Sequence, residues 1–274
     1  MTAQQSIHEE GANQLYNNAM ENLRLGSYQA AAMQFSDYLD SSPDPEKEAK
    51  YYLAVSKLKM GNQSGITEMI SFIRSEPLHP LSGGGYFVLG NHYFEQEKYK
   101  EALTYYNRVS EYQLSVNDQE EWLFNSGYAS YSEDSLEVAK DMFDRVIDFR
   151  GEYYYDASYY SGSIKFRNTD YTGALATLEA IDNQDHPYQQ EVALMIASIY
   201  FETRAYSRLF KYGEEKLASA DVEGKKELNK LLGEAYFSQK KYEPAATYLQ
   251  GYIDRSLRTD AQTYFKMGLS YFET

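Results

Sequence analysis

Cysteine is absent from the sequence, and proline is scarce, with 6 residues among 274. Without a thiol, the chain can form no disulfide, no thiolate metal site and no cysteine nucleophile. Long apolar runs are also missing. None approaches the roughly 18 to 20 residues that a membrane-spanning helix needs, and the N-terminus lacks the basic segment and apolar run of a signal peptide. We therefore expect no membrane span in this chain.

Basic residues are few relative to acidic ones, 26 against 41, which gives a formal net charge of −15. A general nucleic-acid binder needs clustered lysine and arginine to replace phosphate counterions, so we expect no nucleic-acid partner. The same charge favours basic partners through long-range attraction, although an acidic surface also serves simply to keep a protein in solution.

Signatures of catalysis are lacking as well. Residues 83–85 are three glycines without the Lys-Ser or Lys-Thr of a phosphate-binding loop, and the chain contains no Gly-x-Ser-x-Gly motif. The four histidines do not have metal-ligand spacing. They are His8, His79, His92 and His186. We predict no enzymatic activity, no cofactor and no metal site.

What the sequence does contain is enough apolar surface to build a core. Hydrophobic residues make up 43% of the chain and charged residues 24%, a composition typical of folded proteins. Tyrosine is the outlier, with 29 residues. Because the tyrosine ring is apolar while its hydroxyl tolerates water, this excess is typical of a thin structure whose core lies near solvent.

A small residue recurs within an apolar helical pattern at intervals of 35 to 37 positions. The small residues are Ala19, Ala54, Gly90, Gly127, Gly162, Ala197, Gly233 and Gly268. Nine positions later most repeats carry tyrosine, and twelve positions later most carry alanine. Sixteen positions later a large apolar or aromatic residue follows: Phe35, Ile70, Tyr106, Phe143, Leu178 and Leu249. Small residues on both helices of a pair let their backbones approach closely, so each repeat predicts one helical hairpin.

This repeat resembles the tetratricopeptide repeat family. The best match is the segment 86–94 with Gly90 at its centre, followed by Tyr99, Ala102 and Tyr106. The resemblance implies an all-α fold: a right-handed superhelix, or α-solenoid, of about seven helical hairpins plus one final helix. It also implies a concave groove lined by the first helix of each hairpin.

The repeat spacing predicts a flexible N-terminal tail over residues 1–11 and a repeat array over residues 12–274. The predicted repeats lie near residues 12–45, 47–80, 83–116, 120–151, 155–186, 190–221, 226–257 and 261–274. The eighth stops after one helix. Either this helix caps the array or the natural chain continues beyond Thr274.

Position within the repeat predicts which side chains line the groove. The residue three places before the small one is mostly aromatic, which fits packing between repeats or contact with a ligand. The residue just after the small one varies in polarity, as expected of a surface that selects a partner. The predicted protein-binding residues are Tyr16, Met20, Tyr51, Val55, Phe87, Asn91, Phe124, Asn125, Tyr128, Tyr159, Ser163 and Ser198.

Tetratricopeptide domains that bind the C-terminal carboxylates of chaperones carry Lys, Asn and Arg on this helix. Asn91 and Asn125 match the two asparagines of that clamp, whereas Phe87, Asp156 and Tyr160 stand where its basic residues would be. The comparison therefore argues against chaperone-tail binding.

An acidic residue also recurs six places before the small one. The members of this acidic series are Glu48, Glu121, Asp156, Glu191 and Glu227. Carboxylates in the first turn of a helix are favoured by its macrodipole, which is a sufficient structural explanation. The functional alternative is an acidic groove edge that binds a basic or amphipathic peptide.

Two functions fit these features. The first is a bacterial scaffold or adaptor that holds a peptide or protein segment in its groove, with envelope assembly as one such role. Ala3 followed by Gln4 and Gln5 resembles the remnant of a signal-peptide cleavage site, which favours a periplasmic or envelope location over the cytoplasmic alternative. The second is an N-terminal sensory or regulatory module of a longer signalling or transcription-control protein.

Overall fold

The structure, a computed structural model, is built from helices. It describes the backbone of residues 3–274 and the side chains from residue 11 onward. Over that range it contains fifteen α-helices, one short 3-10 turn at Glu111–Gln113 and no strand, which confirms the predicted all-α class. Met1 and Thr2, the side chains of the Ala3-Gln4-Gln5 segment and that of His8 lie outside the described residues.

The α-helices run in chain order as α1 (Ala3–Arg24), α2 (Tyr28–Ser41), α3 (Glu48–Lys59), α4 (Ser64–Ser75), α5 (Pro80–Phe94), α6 (Tyr99–Tyr106), α7 (Val116–Ser132), α8 (Leu136–Phe149), α9 (Tyr154–Arg167), α10 (Tyr171–Glu179), α11 (Gln189–Glu202), α12 (Tyr206–Ser219), α13 (Val222–Ser238), α14 (Tyr242–Ile253) and α15 (Ala261–Phe272).

Several helices begin earlier than the repeat pattern predicts. The backbone of α1 is helical from Ala3, within the segment predicted to be a tail, because no glycine or proline interrupts the good helix formers before Gly11. Helices α7 and α13 begin four residues before the predicted repeats at 120 and 226. Their starts are fixed by capping side chains: Ser115 accepts a hydrogen bond from the backbone N–H of Asp118 at 3.2 Å, and Asp221 accepts one from Gly224 at 2.7 Å.

The chain divides into two compact bodies, residues 1–142 and residues 143–274. In the N-terminal body each helix from α1 to α7 packs on the next, and α1, α3, α5 and α7 also pack on one another in succession. In the C-terminal body α9 to α15 repeat this arrangement, with α9, α11, α13 and α15 in succession. First helices of neighbouring hairpins therefore form one layer within each body, as the tetratricopeptide pattern implies.

In three hairpins the small residue, Gly90, Gly162 or Gly233, lies directly against the large residue sixteen positions later on the second helix. A Cβ atom on Gly90 would lie 2.3 Å from the ring of Tyr106, sixteen positions later. A Cβ on Gly162 would lie 2.4 Å from Leu178, which is again sixteen positions away. The contact is too tight for any larger side chain, so the predicted pairing of small and large residues is confirmed at these repeats.

The turn inside each hairpin has one recurring conformation. Seven positions after the small residue, the backbone takes a positive φ of 55° to 72° in all seven turns. Glycine occupies this position only twice, and the residues are Gly26, Gly61, Glu97, Asp134, Thr169, Arg204 and Lys240. In every case the next N–H donates to the carbonyl five residues back, as in Asp170 to Lys165 at 2.9 Å. This is the Schellman closure of a helix C-terminus.

Tyrosine hydroxyls donate to carboxylates of neighbouring helices and connections in the C-terminal body. Tyr188 donates to Asp156, Tyr200 to Glu179, Tyr212 to Asp182 and Tyr236 to Glu214, at 2.6 to 2.7 Å. The rings lie in or beside the core while the hydroxyls reach its edge. Part of the tyrosine content and part of the excess of acid therefore serve the same hydrogen bonds.

Candidate protein-binding site

All twelve predicted binding residues lie on first helices of hairpins. Nine belong to the N-terminal body, on α1, α3, α5 and α7, and Tyr159, Ser163 and Ser198 belong to the C-terminal body, on α9 and α11. The structure brings one group of them into direct contact, around Asn91.

Asn91 joins three helices through its side-chain amide. Its Nδ2 donates to Oε1 of Glu121 at 2.8 Å, and its Oδ1 accepts from the hydroxyl of Tyr106 at 2.6 Å. Nδ2 of Asn125 also donates to Oδ1 of Asn91, at 3.3 Å. Asn91 is half-buried, while Asn125 is buried with 7% of its surface exposed. We call Asn91, Tyr106, Glu121 and Asn125 the Asn91 network.

Tyr128 lies one helical turn along α7 from this network and is surrounded by aromatic rings. Its ring centroid lies 5.8 Å from those of Phe94 and Tyr99 in edge-to-face geometry and 6.4 Å from that of Phe124. Tyr128 and Phe124 are half-buried, so each keeps part of its ring at the surface. The polar network thus has an apolar, aromatic neighbour on the same helices.

Acidic groups prevail around the Asn91 network. Burial raises the pKa of Glu121, the nearby Asp118 raises it further, and both Lys59 and the hydrogen bond from Asn91 lower it. Lys59 itself is paired with Glu95 at 2.9 Å. Burial and the neighbouring Asp118 both disfavour the charged form of Glu121, and a cation close by would stabilise that form. This surface therefore suits a basic group of a partner.

The residue pair Lys59 and Glu95 is not among the predicted residues, although the sequence holds a signal for it. Each residue lies five positions after the small residue of its repeat, in neighbouring repeats and with opposite charge. Equivalent positions of adjacent first helices face each other in this fold, so opposite charges there predict an ion pair between the repeats.

Three predicted residues are buried beneath the surface. Tyr51 and Phe87 are 8% and 7% exposed, and their rings pack against Phe72 at 5.6 Å and Tyr106 at 6.5 Å. These contacts favour the packing interpretation of the aromatic positions, with Asn125 the third buried member. Tyr16, Met20 and Val55 are half-buried and pack against two further clusters of the N-terminal body.

In the C-terminal body, Tyr159 is half-buried and stacks on Tyr188 with centroids 4.1 Å apart and planes 5° apart. Ser163 and Ser198 are half-buried on α9 and α11. Tyr159, Ser163 and Ser198 thus lie on two neighbouring first helices of this body. Their role in binding stays a prediction.

The acidic series has more than one structural role. Glu48, Asp156 and Glu191 do lie in the first turns of α3, α9 and α11, where the helix macrodipole favours them. Glu121 and Glu227 do not, because α7 and α13 begin a turn earlier. Several members connect neighbouring repeats. Glu121 accepts a hydrogen bond from Asn91, and Asp156 accepts one from Tyr188. Oε1 of Glu48 lies 3.2 Å from Nε2 of His79.

Among the residues that the structure describes, no group of three or more His, Asp or Glu side chains is arranged to hold a metal ion. The same residues include no helix that is both long enough and apolar enough to cross a membrane.

A family model described as "Tetratricopeptide repeat" matches residues 231–256, which include the end of α13 and all of α14. No curated protein matches the chain significantly.

Solved structures with a similar arrangement of helices cover most of the chain. A tetratricopeptide repeat protein from Parabacteroides merdae is 13% identical with a TM-score of 0.50, over 96% of this chain and 99% of its own. PilF of Pseudomonas aeruginosa is 16% identical with a TM-score of 0.52, over 80% of this chain and 96% of its own. A chain in the structure of Naa15/Naa10 bound to HypK-THB is 11% identical with a TM-score of 0.65, over 95% of this chain and 39% of its own.

At these identities the likeness concerns the fold. One repeat of the chain, at 231–256, thus matches the tetratricopeptide repeat family, and most of the chain shares the fold of tetratricopeptide repeat proteins of known structure.

Proposed function

We propose that this protein is a non-catalytic scaffold that binds a segment of a partner protein on the first-helix layer of its N-terminal body, centred on Asn91. The observation that carries the proposal is the Asn91 network, a partly exposed amide and carboxylate cluster beside an aromatic cluster. Tetratricopeptide folds are used widely as protein-binding surfaces, and the fold supports this general function.

The chemistry of the site favours a basic or amphipathic segment. Glu121 and its acidic neighbours would pair with a lysine or arginine of the partner, and the half-exposed ring of Tyr128 would cover an apolar or cationic side chain. The amide of Asn91 offers a donor and an acceptor to the backbone of an extended peptide. Phe87 is buried where a carboxylate clamp would need a cation, which is consistent with a partner other than an acidic chaperone tail.

A random peptide library displayed on phage and selected against the chain tests the proposal. We expect enriched peptides to carry lysine or arginine next to apolar residues. A variant with Asn91→Ala, Asn125→Ala and Tyr128→Ala should bind them at least tenfold more weakly in a fluorescence-anisotropy titration, which corresponds to a loss of about 1.4 kcal/mol or more.

The chain offers a matched control: Asn107→Ala, Tyr112→Ala and Asn117→Ala remove the same residue types from exposed positions of the same body. Glu121→Gln is a second test variant, because it keeps the size of the side chain and the hydrogen bond from Asn91 while removing the charge. Equal binding by the parent, both test variants and the control would contradict the proposal.

We extend the proposal to an envelope location, which the Ala3-Gln4-Gln5 segment supports. Fractionation of cells that express the native reading frame, with its own upstream sequence, tests the location. Recovery of the protein with cytoplasmic markers would contradict it. An effector domain encoded downstream of Thr274 would favour the regulatory alternative.

A further inference from the structure

A pocket of about 210 Å³ lies in the N-terminal body between α4, α5 and α6. Ile70 and Ile73 of α4 and Tyr105 of α6 form its apolar and aromatic walls. Tyr105 is held in place by Tyr93, which stacks on it with centroids 5.4 Å apart and planes 7° apart. Its lining shares no residue with the Asn91 network, although Tyr105 of the lining is adjacent to Tyr106 of the network on α6.

Two arginines line this pocket, Arg74 at the end of α4 and Arg108 just after α6. The guanidinium carbon of Arg108 lies 5.9 Å from the ring centroid of Tyr86, which also lines the pocket. Among the residues that the structure describes, neither arginine has a carboxylate within ion-pair distance. Two like charges beside one small volume repel each other, and an anion between them would offset that repulsion.

The pocket lining contains no Asp or Glu, although the chain has 41 acidic residues. Arg74 also lines a neighbouring surface with the hydroxyl side chains of Thr67, Ser71 and Ser75, of which the Ser75 hydroxyl already donates to the backbone carbonyl of Phe72. Hydroxyls and guanidinium groups are all hydrogen-bond donors to oxyanions. The region is thus a local cationic surface on a strongly acidic protein.

We propose that this pocket binds an oxyanion carried on an apolar or aromatic stem, as in a phosphorylated or carboxylate side chain of a partner protein. The two arginines bind the anionic group, and Ile70, Ile73 and Tyr105 contact the stem. Arginine clusters are a general means of recognising phosphorylated and acidic motifs. A volume of about 210 Å³ is below the roughly 300 to 1,000 Å³ of small-molecule sites, which fits a single side chain.

Ligand-observed NMR titrations with four probes test the proposal: phenyl phosphate, benzoate, inorganic phosphate and the neutral analogue benzamide. We expect phenyl phosphate or benzoate to bind at least tenfold more tightly than benzamide, and more tightly than inorganic phosphate, which lacks the stem. The ranking of phenyl phosphate against benzoate distinguishes a phosphorylated from a carboxylate ligand.

Arg74→Gln with Arg108→Gln should weaken binding of the better anionic probe at least tenfold. The matched control is Arg208→Gln with Arg258→Gln, which makes the same change in net charge at exposed positions of the C-terminal body. If circular dichroism shows that the double variant does not fold, the single Arg74→Gln variant is used in its place. Two results would overturn the proposal. One is equal binding of the anionic probe by the parent, the test variant and the control, and the other is binding of benzamide by the parent as tightly as the anionic probes.

Because the Asn91 network takes no part in this pocket, the Asn91→Ala, Asn125→Ala, Tyr128→Ala variant should bind phenyl phosphate as the parent does. The absence of anion binding and the absence of peptide binding can therefore be distinguished, because different variants and different ligands report them.

Discussion

Gly90 and Tyr106 meet so closely that the ring occupies the space of a side chain at position 90. A Cβ atom on Gly90 would lie 2.3 Å from two carbons of that ring. The hydroxyl of the same Tyr106 donates to Asn91, the residue next to Gly90. The contact that closes this hairpin therefore also orients the residue at the centre of the candidate site.

Gly90→Ala should destabilise the protein, by about 1 to 3 kcal/mol, because the ring of Tyr106 must shift to admit the methyl group. The measurement is urea unfolding followed by circular dichroism. Gly268→Ala is the matched control, since nothing lies within 4 Å of its Cβ position and alanine is the better helix former, by up to about 1 kcal/mol. Equal effects of the two substitutions would show that the close contact with Tyr106 does not determine stability.

Thr169→Gly should stabilise the protein, by about 1 kcal/mol. Thr169 has a φ of 60°, and a β-branched residue is strained in this left-handed conformation whereas glycine is not. Thermal unfolding would report the gain as a higher Tm. The comparison variant is Thr247→Gly, in the interior of α14, where glycine should lower the stability by a few tenths of a kcal/mol. A lower Tm for Thr169→Gly would contradict the strain argument.

Asp182→Ala should lower the free energy of unfolding by about 3 kcal/mol or more. The Asp182 carboxylate is 6% exposed, lies 2.9 Å from Nζ of Lys216 and accepts a hydrogen bond from Tyr212 at 2.7 Å. Its removal leaves a largely buried ammonium and a hydroxyl without this partner. The exposed pair of Glu21 and Arg24 is the control, and Glu21→Ala should leave the unfolding midpoint in urea almost unchanged.

Stability should fall as pH rises from 10 to 12. Burial, followed by the hydrogen bond to Glu179, raises the pKa of Tyr200 from 10.0 to about 12. A raised tyrosine pKa means that the folded state favours the neutral hydroxyl, so this contribution is present below pH 10 and is lost as the pH approaches 12. For Tyr200 alone the loss amounts to about 2 kcal/mol at pH 12.

Urea unfolding at a series of alkaline pH values checks this dependence. Tyr200→Phe should be less stable than the parent at pH 8, because the hydrogen bond is lost, but its stability should decline less between pH 10 and 12. Parallel declines of the parent and the variant would exclude Tyr200 as a source of the pH dependence.

The hairpin arrangement could be predicted from the sequence because its cause is local and repeated. The pairing of a small residue with a large one sixteen positions later, as in Gly162 and Leu178, recurs at a nearly constant spacing. The turn conformation could be inferred only at Gly26 and Gly61. At Glu97 or Lys240 the residue gives no indication of a positive φ, because the Schellman hydrogen bonds and the helix contacts impose it against the residue's own preference.

The candidate site was only partly predictable. The repeat pattern places both residues on first helices of adjacent hairpins, which was enough to predict that Asn91 and Asn125 lie on the same layer of helices. Their mutual hydrogen bond and the burial of Asn125 depend on side-chain geometry, which a repeat position does not specify. The pocket between Arg74 and Arg108 could not be found from the sequence, since the two residues occupy different positions within their repeats.

The short separation between contacting residues also bears on how the chain folds. In the hairpins closed by Gly90 and Tyr106, by Gly162 and Leu178, and by Gly233 and Leu249, the contact joins residues only sixteen positions apart. Little loop-closure entropy opposes such contacts, and chains dominated by them fold fast. Each hairpin can thus form soon after it leaves the ribosome and serve as a template on which the next one docks.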